Sequence, residues 1–180
     1  ATAYTVEITV RSVKRGLNLT LKQTAVAADL LRPAPSGLVV LAYHRISGQS
    51  PLELDLDPGL FADQMHHLAD RGVAVSLDDG LARVANPGAG LAVAVTFDDG
   101  TADFVEHALP AIVASGVPVT YYVATRFIED QVPFPDDGHP LSWAALAEAV
   151  STGLVTVGSH THTHAVMDKL SPAAAAEELS

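Results

Sequence analysis

From residue 37 onwards, the pattern of apolar and polar positions predicts strands that alternate with helices. Short continuous apolar runs are typical of strands inside a sheet, and the first of them is expected to be buried on both faces. Alternation of this kind favours a parallel α/β sheet, either open or closed into a barrel. The predicted strands are residues 38–43, 73–77, 91–97, 117–123 and 154–157.

Capping residues and glycines predict where three of the helices begin and end. A polar N-cap, a proline in the first turn and a glycine after the last turn are the expected signals. These signals are Asp57-Pro58 with Gly72, Ser142 with Gly153, and Ser171-Pro172. Helical periodicity predicts inward-facing residues in the first two, namely Leu60, Phe61, Met65 and Leu68, then Trp143, Leu146 and Val150.

A further helix is predicted after the third strand. Asp103 and Glu106 have the spacing of a capping box, and Gly116 marks the end. Pro110 lies inside this helix and predicts a kink or a late start. Residues 129–140, rich in proline and acids, are predicted to be a loop. The expected inward-facing residues of the helix are Phe104, Ala108, Ile112 and Val113.

The composition is that of a globular chain. The 180 residues are 48% hydrophobic, which is enough for one domain with a substantial core and excludes a disordered class. No apolar run reaches the length that crosses a bilayer, so we expect no transmembrane segment. There is no cysteine, which excludes disulfides and thiolate metal sites.

Charge is divided unevenly along the chain. Residues 1–36 carry five basic and two acidic residues, whereas residues 37–180 carry five basic and nineteen acidic ones. The larger part would repel nucleic acid phosphates, so we expect no nucleic acid partner. A Pro- and Ser-containing cluster at 32–37 predicts a linker. The chain is therefore divided into a basic leader with its linker, 1–36, and a domain, 37–180.

Ionisable side chains follow three of the predicted strands at the point where each strand ends. Asp98 and Asp99 follow the third strand, His160 and His164 the fifth, and His44 the first. Because the carboxyl ends of parallel strands lie at one edge of a sheet, we expect these groups to converge. Two histidines and one carboxylate form a common catalytic metal set. Adjacent carboxylates do not easily bind the same ion, so one is expected to be a ligand and the other a base for water.

Each of these patterns also has a simpler structural interpretation. Asp-Asp-Gly occurs twice, at 78–80 and 98–100, and in isolation it is an ordinary turn or helix start. The alternating His and Thr residues at 160–164 are equally compatible with an exposed polar strand. His44 in isolation is more often a half-buried structural histidine than a ligand. The convergence of three strand ends favours a metal site more than any single motif does.

With both motifs considered together, the chain from about residue 38 to its end resembles the polysaccharide deacetylases, which are carbohydrate esterase family four with the NodB homology domain. The sequence Thr-Phe-Asp-Asp-Gly at 96–100 matches the first family motif. The sequence His-Thr-His-Thr-His at 160–164 matches the second, His-Ser/Thr-x-x-His. Tyr-His-Arg at 43–45, Ala-Leu-Pro at 108–110 and the segment 117–124 are also similar to that family.

The resemblance implies a distorted, TIM-like parallel (β/α) barrel and a hydrolase that removes N-acetyl groups from a carbohydrate substrate. Carried over by position, Asp98 is the general base for a water activated by a metal, and Asp99, His160 and His164 bind that metal. The metal implied is a divalent ion, usually zinc and sometimes cobalt or nickel. The Asp-Asp-Gly copy at 78–80 falls outside the motif and is expected to be structural.

Substrate recognition is assigned less directly. Tyr43 and His44 are candidates for lining the substrate site, and His162 falls on a variable motif position and receives no role. Loops 47–57 and 129–140 are expected to contribute to the choice of substrate.

The family's later motifs supply an Arg that orients the base, an Asp/Trp segment of the pocket, and a Leu-x-His whose His is the general acid. Sixteen residues follow His164, and none matches these motifs. The resemblance therefore predicts the front part of the domain, with a barrel incomplete at its C-terminus. Two alternatives remain open: a truncated, non-catalytic remnant that binds metal or carbohydrate, and a deacetylase that acts on a non-sugar amide.

Overall fold

The computed structural model describes residues 36–85, 90–134 and 138–180, so the predicted basic leader lies outside the described residues except for its last residue. The strands are β1 Gly37–Tyr43, β2 Leu91–Phe97, β3 Val119–Val123 and β4 Val155–Ser159. The helices are α1 Pro58–Arg71, α2 Leu77–Val84, α3 Leu109–Ser115, α4 Thr125–Asp130, α5 Trp143–Ser151 and α6 Pro172–Glu178. A π-helical turn, Phe104–Ala108, precedes α3, and a 3-10 turn, Met167–Lys169, precedes α6.

The strands form a parallel sheet in the order β1-β2-β3-β4, so strands consecutive in the chain are neighbours in space. All four carboxyl ends therefore lie at one edge of the sheet. This confirms the predicted parallel α/β class. Over the described residues the sheet is open, and it does not close into a barrel.

The predicted strand at 73–77 is not formed. Ala74 makes one isolated bridge to Val93, held by backbone hydrogen bonds from Val93 to Val73 and from Val75 to Val93. The extended segment ends at Ser76, whose side chain accepts a hydrogen bond from the Asp79 amide and starts α2. The capping signal is local and immediate, so it stops the segment before a strand can develop.

The first strand is less buried than predicted. Val39 and Val40 are 45% and 46% exposed, although full burial on both faces was expected. The reason is that β1 has β2 on one side and lies at an edge of the described sheet.

The centre of the core is an aromatic cluster around β2 and β3. The Phe97 ring contacts Phe61 of α1 at 5.6 Å and Phe104 at 4.8 Å, and Tyr121 stacks on Phe104 at 4.1 Å. Each of these rings is at most 1% exposed, and burying such a side chain contributes about 1.5–3 kcal/mol. The Tyr121 hydroxyl donates to the Thr101 carbonyl, so the core holds the segment that follows the Asp-Asp-Gly motif at 98–100.

The predicted helix ends are confirmed for α1, α5 and α6, whose N-caps are Asp57, Ser142 and Ser171. The predicted inward faces were too wide. Four of their members are between 41% and 51% exposed, because they either flank a buried position by about one residue or lie near a helix end. These four are Leu60, Val113, Trp143 and Val150.

The predicted capping box at Asp103 is wrong. The Asp103 side chain makes no cap hydrogen bond, and its carboxylate instead accepts one from the Ile46 amide. The Ala102 carbonyl already accepts hydrogen bonds from the amides of Val105 and Glu106, which leaves little for a side-chain cap to satisfy. The predicted late start is confirmed, because α3 begins at Leu109 after the π-helical turn.

Candidate metal centre and base

The tight turn after β2 separates the two adjacent carboxylates. The Asp98 amide donates to the Tyr43 carbonyl of β1, and the Gly100 amide donates back to the Asp98 carbonyl. Asp99 then takes a left-handed conformation with φ of 79°, and Gly100 follows with φ of 109°. A left-handed residue reverses the local chain direction, so neighbouring side chains point to different surroundings. Asp98 faces β1, while Asp99 faces the loop after β4.

Asp99, His160 and His164 form the group predicted to bind metal. The Asp99 Oδ1 atom lies 3.5 Å from His160 Nε2 and 3.3 Å from His164 Nε2. The three potential ligand atoms lie within 4.8 Å of one another. The two imidazole rings are 4.8 Å apart between centroids. Ligands at about 2.0–2.2 Å from a tetrahedral zinc ion lie about 3.3–3.6 Å apart, so the measured Asp–His separations fit such an ion.

The environment of Asp99 gives an independent test of this fit. Its Oδ1 atom is buried and accepts no hydrogen bond from the described residues. A buried carboxylate oxygen without a partner is costly unless a cation or a donor faces it. Here two imidazole nitrogens face it, and one carboxylate with two imidazoles is a donor set suited to zinc. The residues present therefore fit a divalent metal.

Asp98 lies outside this group. Its Oδ2 atom is 3.7 Å from His44 Nε2, and the two side chains are 22% and 28% exposed. The carboxylate is therefore reachable by water and free of the metal ligands. This arrangement suits a base rather than a ligand.

Only the backbone of Tyr43 reaches the site, through the carbonyl that accepts from the Asp98 amide, and its side chain lies elsewhere. Its ring stacks on Phe97 at 5.4 Å between centroids and contacts Phe61 edge-on, and its hydroxyl donates to Gln64 of α1 at 2.6 Å. Burial raises the pKa of this hydroxyl above its usual value. Tyr43 thus packs between β1 and α1, whereas its neighbour His44 reaches Asp98.

The histidine loop, residues 160–164, is held by the start of α4. The amides of Thr125 and Arg126 donate to the carbonyls of Thr161 and His162, at 3.3 and 2.9 Å. The Thr125 hydroxyl also lies 2.9 Å from His162 Nδ1. Helix α4 was not predicted, and it overlaps the start of the predicted loop 129–140. His162, which had no assigned role, therefore contributes to holding the loop.

A glycine before the histidine loop allows β4 to pack closely on β3. Gly158 pairs with Tyr122, and a Cβ atom at Gly158 would lie 2.4 Å from Cδ1 of the tyrosine ring. That is closer than any real contact, so another residue would displace the ring or the strand. The sequence signal for this close approach is a glycine at the end of a strand, two residues before His160.

A polar cavity of about 430 Å³ is formed by other residues, and none of Asp98, Asp99, His160 and His164 is among those that line it. It is bounded by both predicted specificity loops and by the π-helical turn, through Arg45, Gln49, Ser50, Glu106, His107 and His139. Asp55 holds the first of these loops, because it accepts hydrogen bonds from Ser47, Gly48 and Ser50. Burial would raise the pKa of Asp55, but these hydrogen bonds outweigh it and hold the pKa well below its usual range.

Sequence comparison identifies one family model. The model described as polysaccharide deacetylase matches residues 85–180, which is just over half of the chain and includes both motifs. No curated protein matches the chain. No described helix is long and apolar enough to cross a membrane.

Several solved structures that are similar to this chain are described as deacetylases. The chain is similar to the deacetylase PplD of Streptococcus pyogenes, with a TM-score of 0.68 and 25% identity over 81% of this chain and 65% of that one. It is also similar to IcaB of Ammonifex degensii, with a TM-score of 0.61 and 26% identity over 78% of this chain and 58% of that one. A polysaccharide deacetylase of Bacillus cereus is similar with a TM-score of 0.60 and 28% identity, over 79% of this chain and 46% of that one. The chain thus spans about half to two thirds of the length of these relatives.

Proposed function

Because the chain belongs to the polysaccharide deacetylase family, we propose that it carries the metal site and the base of a hydrolase that removes N-acetyl groups from carbohydrate. The observation that carries this proposal is the separation of two adjacent carboxylates. The buried Oδ1 of Asp99 faces two imidazole nitrogens, and Asp98 lies outside that group beside His44.

Three side chains would hold the metal, namely Asp99 through Oδ1 and His160 and His164 through Nε2. A divalent ion bound there, zinc in the first place and cobalt or nickel as alternatives, would lower the pKa of a water and polarise the amide carbonyl. Asp98 would accept the proton of the attacking water on its carboxylate, and a proton would pass to the nitrogen of the departing amine as its bond to the acetyl carbon breaks. His44 would keep the Asp98 carboxylate oriented towards the water, since its Nε2 lies 3.7 Å from Asp98 Oδ2.

The open parallel sheet is compatible with the barrel that the family resemblance implies. We propose that residues 37–180 belong to one deacetylase domain whose four strands are part of a distorted (β/α) barrel. In such barrels the reacting groups lie at the carboxyl ends of the strands. The Asp98–Gly100 turn and the histidine loop both follow that rule here.

The lining of the polar cavity supports a sugar rather than an apolar amide as substrate. Its lining includes Gln49, Ser50, Glu106 and His139, which together offer donors and acceptors for hydroxyl groups. A volume of about 430 Å³ is sufficient for a sugar unit next to the one that loses its acetyl group. We therefore propose that this cavity receives a neighbouring unit of an oligosaccharide.

The proposed function is tested by acetate release from N-acetylglucosamine oligomers. The protein loaded with zinc or cobalt is compared with the chelated protein, with His160→Ala, and with His67→Ala as a control on the exposed face of α1. We expect release by the loaded protein and by His67→Ala only. Metal binding without release would favour the non-catalytic alternative, and absence of metal binding would contradict the proposal as a whole.

A further inference from the structure

The histidine loop has a backbone that other residues must hold in place. Thr161 and His164 both take left-handed conformations, with φ of 65° and 61°. Such a conformation costs a residue other than glycine about 1–3 kcal/mol and persists only where the surroundings impose it. His160 and His164 therefore do not keep their spacing by local preference alone.

Glu178, in the last turn of α6, makes the most extensive contact with this loop. Its Oε2 atom accepts hydrogen bonds from the amides of His162 at 3.1 Å and Thr163 at 2.8 Å. Its Oε1 atom accepts one from the Thr163 hydroxyl at 2.6 Å. Its backbone carbonyl also accepts from the His162 amide at 3.0 Å. Glu178 thus accepts hydrogen bonds from both His162 and Thr163, the two adjacent residues in the middle of the loop.

The contact is polar and is not part of a hydrophobic core. Helix α6 has no buried residue, and its start is capped by Ser171. The hydrogen bonds from the hydroxyl and the amide of Thr163 lower the pKa of the Glu178 carboxyl, so this group is charged at neutral pH. The loop is therefore fixed on two sides, by the amides at the start of α4 and by the Glu178 carboxylate.

We propose that Glu178 is a positioning residue, which sets the separation of His160 and His164 for the metal by holding His162 and Thr163 between them. This inference rests on the proposed metal site. Glu178 would not touch the metal, and its carboxylate oxygens already accept hydrogen bonds from the loop. Partners that orient metal ligands in this way typically change metal affinity about 10–100-fold when they are removed.

The test measures the affinity for Zn²⁺ by competition with a chelator and the visible absorption of the Co²⁺-loaded chain. We expect Glu178→Ala to weaken affinity about 10–100-fold and to change the cobalt spectrum. Glu178→Gln should restore both, because its amide oxygen can accept from the two backbone amides while its NH₂ group donates to the Thr163 hydroxyl. Glu177→Ala removes the same charge from the same helix, has no side-chain contact of this kind, and should behave as wild type.

Several outcomes would overturn the inference. Wild-type affinity and spectrum in Glu178→Ala would show that the loop holds itself. Equal losses in Glu178→Gln or in Glu177→Ala would assign the effect to charge and not to position. If Glu178→Ala does not fold, Thr163→Val removes one of the three side-chain hydrogen bonds and should give a smaller loss, while an unchanged affinity would contradict the role. A wild-type chain that binds neither ion would overturn the proposed function itself, which distinguishes the two failures.

Discussion

The tripeptide Asp-Asp-Gly occurs twice in this molecule, and the two copies have different surroundings. Residues 78–80 lie in the first turn of α2, whereas residues 98–100 form the turn after β2. In the first copy both carboxylates are exposed. In the second copy one oxygen of Asp99 is buried between two imidazoles.

The segment that precedes each copy explains the difference. Ser76 accepts a hydrogen bond from the Asp79 amide at 3.1 Å and donates one to the Asp79 carboxylate at 2.7 Å. Both acidic groups then stand at a helix N-terminus, where negative charge is favourable. Before the second copy the chain is a fully buried strand, from Ala92 to Phe97, which delivers Asp98 to the sheet edge. The comparison teaches that the preceding element, and not the tripeptide, decides whether the carboxylates can do chemistry.

The largest expected effect is on zinc affinity, which should depend on Asp99 and not on Asp79, the corresponding residue of the first copy. Asp99→Asn should abolish measurable zinc binding. This loss exceeds the decrease in affinity, about 10–100-fold, that follows when a residue hydrogen-bonded to a ligand is replaced. Asp79→Asn should leave zinc affinity unchanged, because Asp79 interacts with Ser76. Calorimetric zinc titration of both variants measures this. Equal affinities in the two variants would contradict the assignment of Asp99 as a ligand.

The next effect separates Asp98 from Asp78. Asp98→Asn should reduce acetate release about 10²–10⁴-fold, the usual contribution of a general base, while zinc affinity is retained. Asp78→Asn should change neither quantity, since Asp78 is an exposed residue of α2. Rates and zinc affinities are measured on the same preparations. Loss of zinc by Asp98→Asn would show that Asp98 is a ligand and not the base.

A smaller effect, on the free energy of unfolding, distinguishes Gly100 from Gly80, the glycines of the two copies. Gly100 has φ of 109°, so Gly100→Ala should destabilise the protein by about 1–3 kcal/mol. Gly80 lies in α2, where alanine gains about 0.5–1 kcal/mol of helix preference. A new Cβ there would meet Leu38 Cδ1 at 2.6 Å, but that atom is the end of a flexible side chain. Urea unfolding should therefore show Gly100→Ala as clearly less stable than Gly80→Ala, and the reverse order would contradict this account.

The smallest effect concerns the cap of the first copy. Ser76→Ala should lower the free energy of unfolding by about 1 kcal/mol, because α2 loses its N-cap hydrogen bond. Zinc affinity should not change, since α2 contributes no ligand. Thermal unfolding and zinc titration check the two statements. A change in zinc affinity would show that the two copies are coupled.

Much of the fold was predictable because its signals are local. Asp57, Ser142 and Ser171 cap helices by bonds to amides three residues away, so sequence spacing is sufficient to place them. The convergence of Asp99, His160 and His164 was also predictable, since strand ends share one edge in a parallel sheet. The error at 73–77 arose because the local cap at Ser76 ends the extended segment early. The errors at Asp103 and in the width of the helix faces arose where packing against neighbouring elements decided between two local possibilities.

By itself, the sequence determined that two acids and two histidines would follow predicted strands, because each apolar run and the polar residues at its end are consecutive in the chain. The family resemblance implied which acid meets the histidines, and the tertiary structure brings Asp99 rather than Asp98 to them. The left-handed turn at Asp99, the packing of Gly158 on Tyr122 and the reach of Glu178 to Thr163 all depend on residues far apart in the chain. Such contacts form only when the parallel strands are aligned, and no local pattern around either partner encodes them.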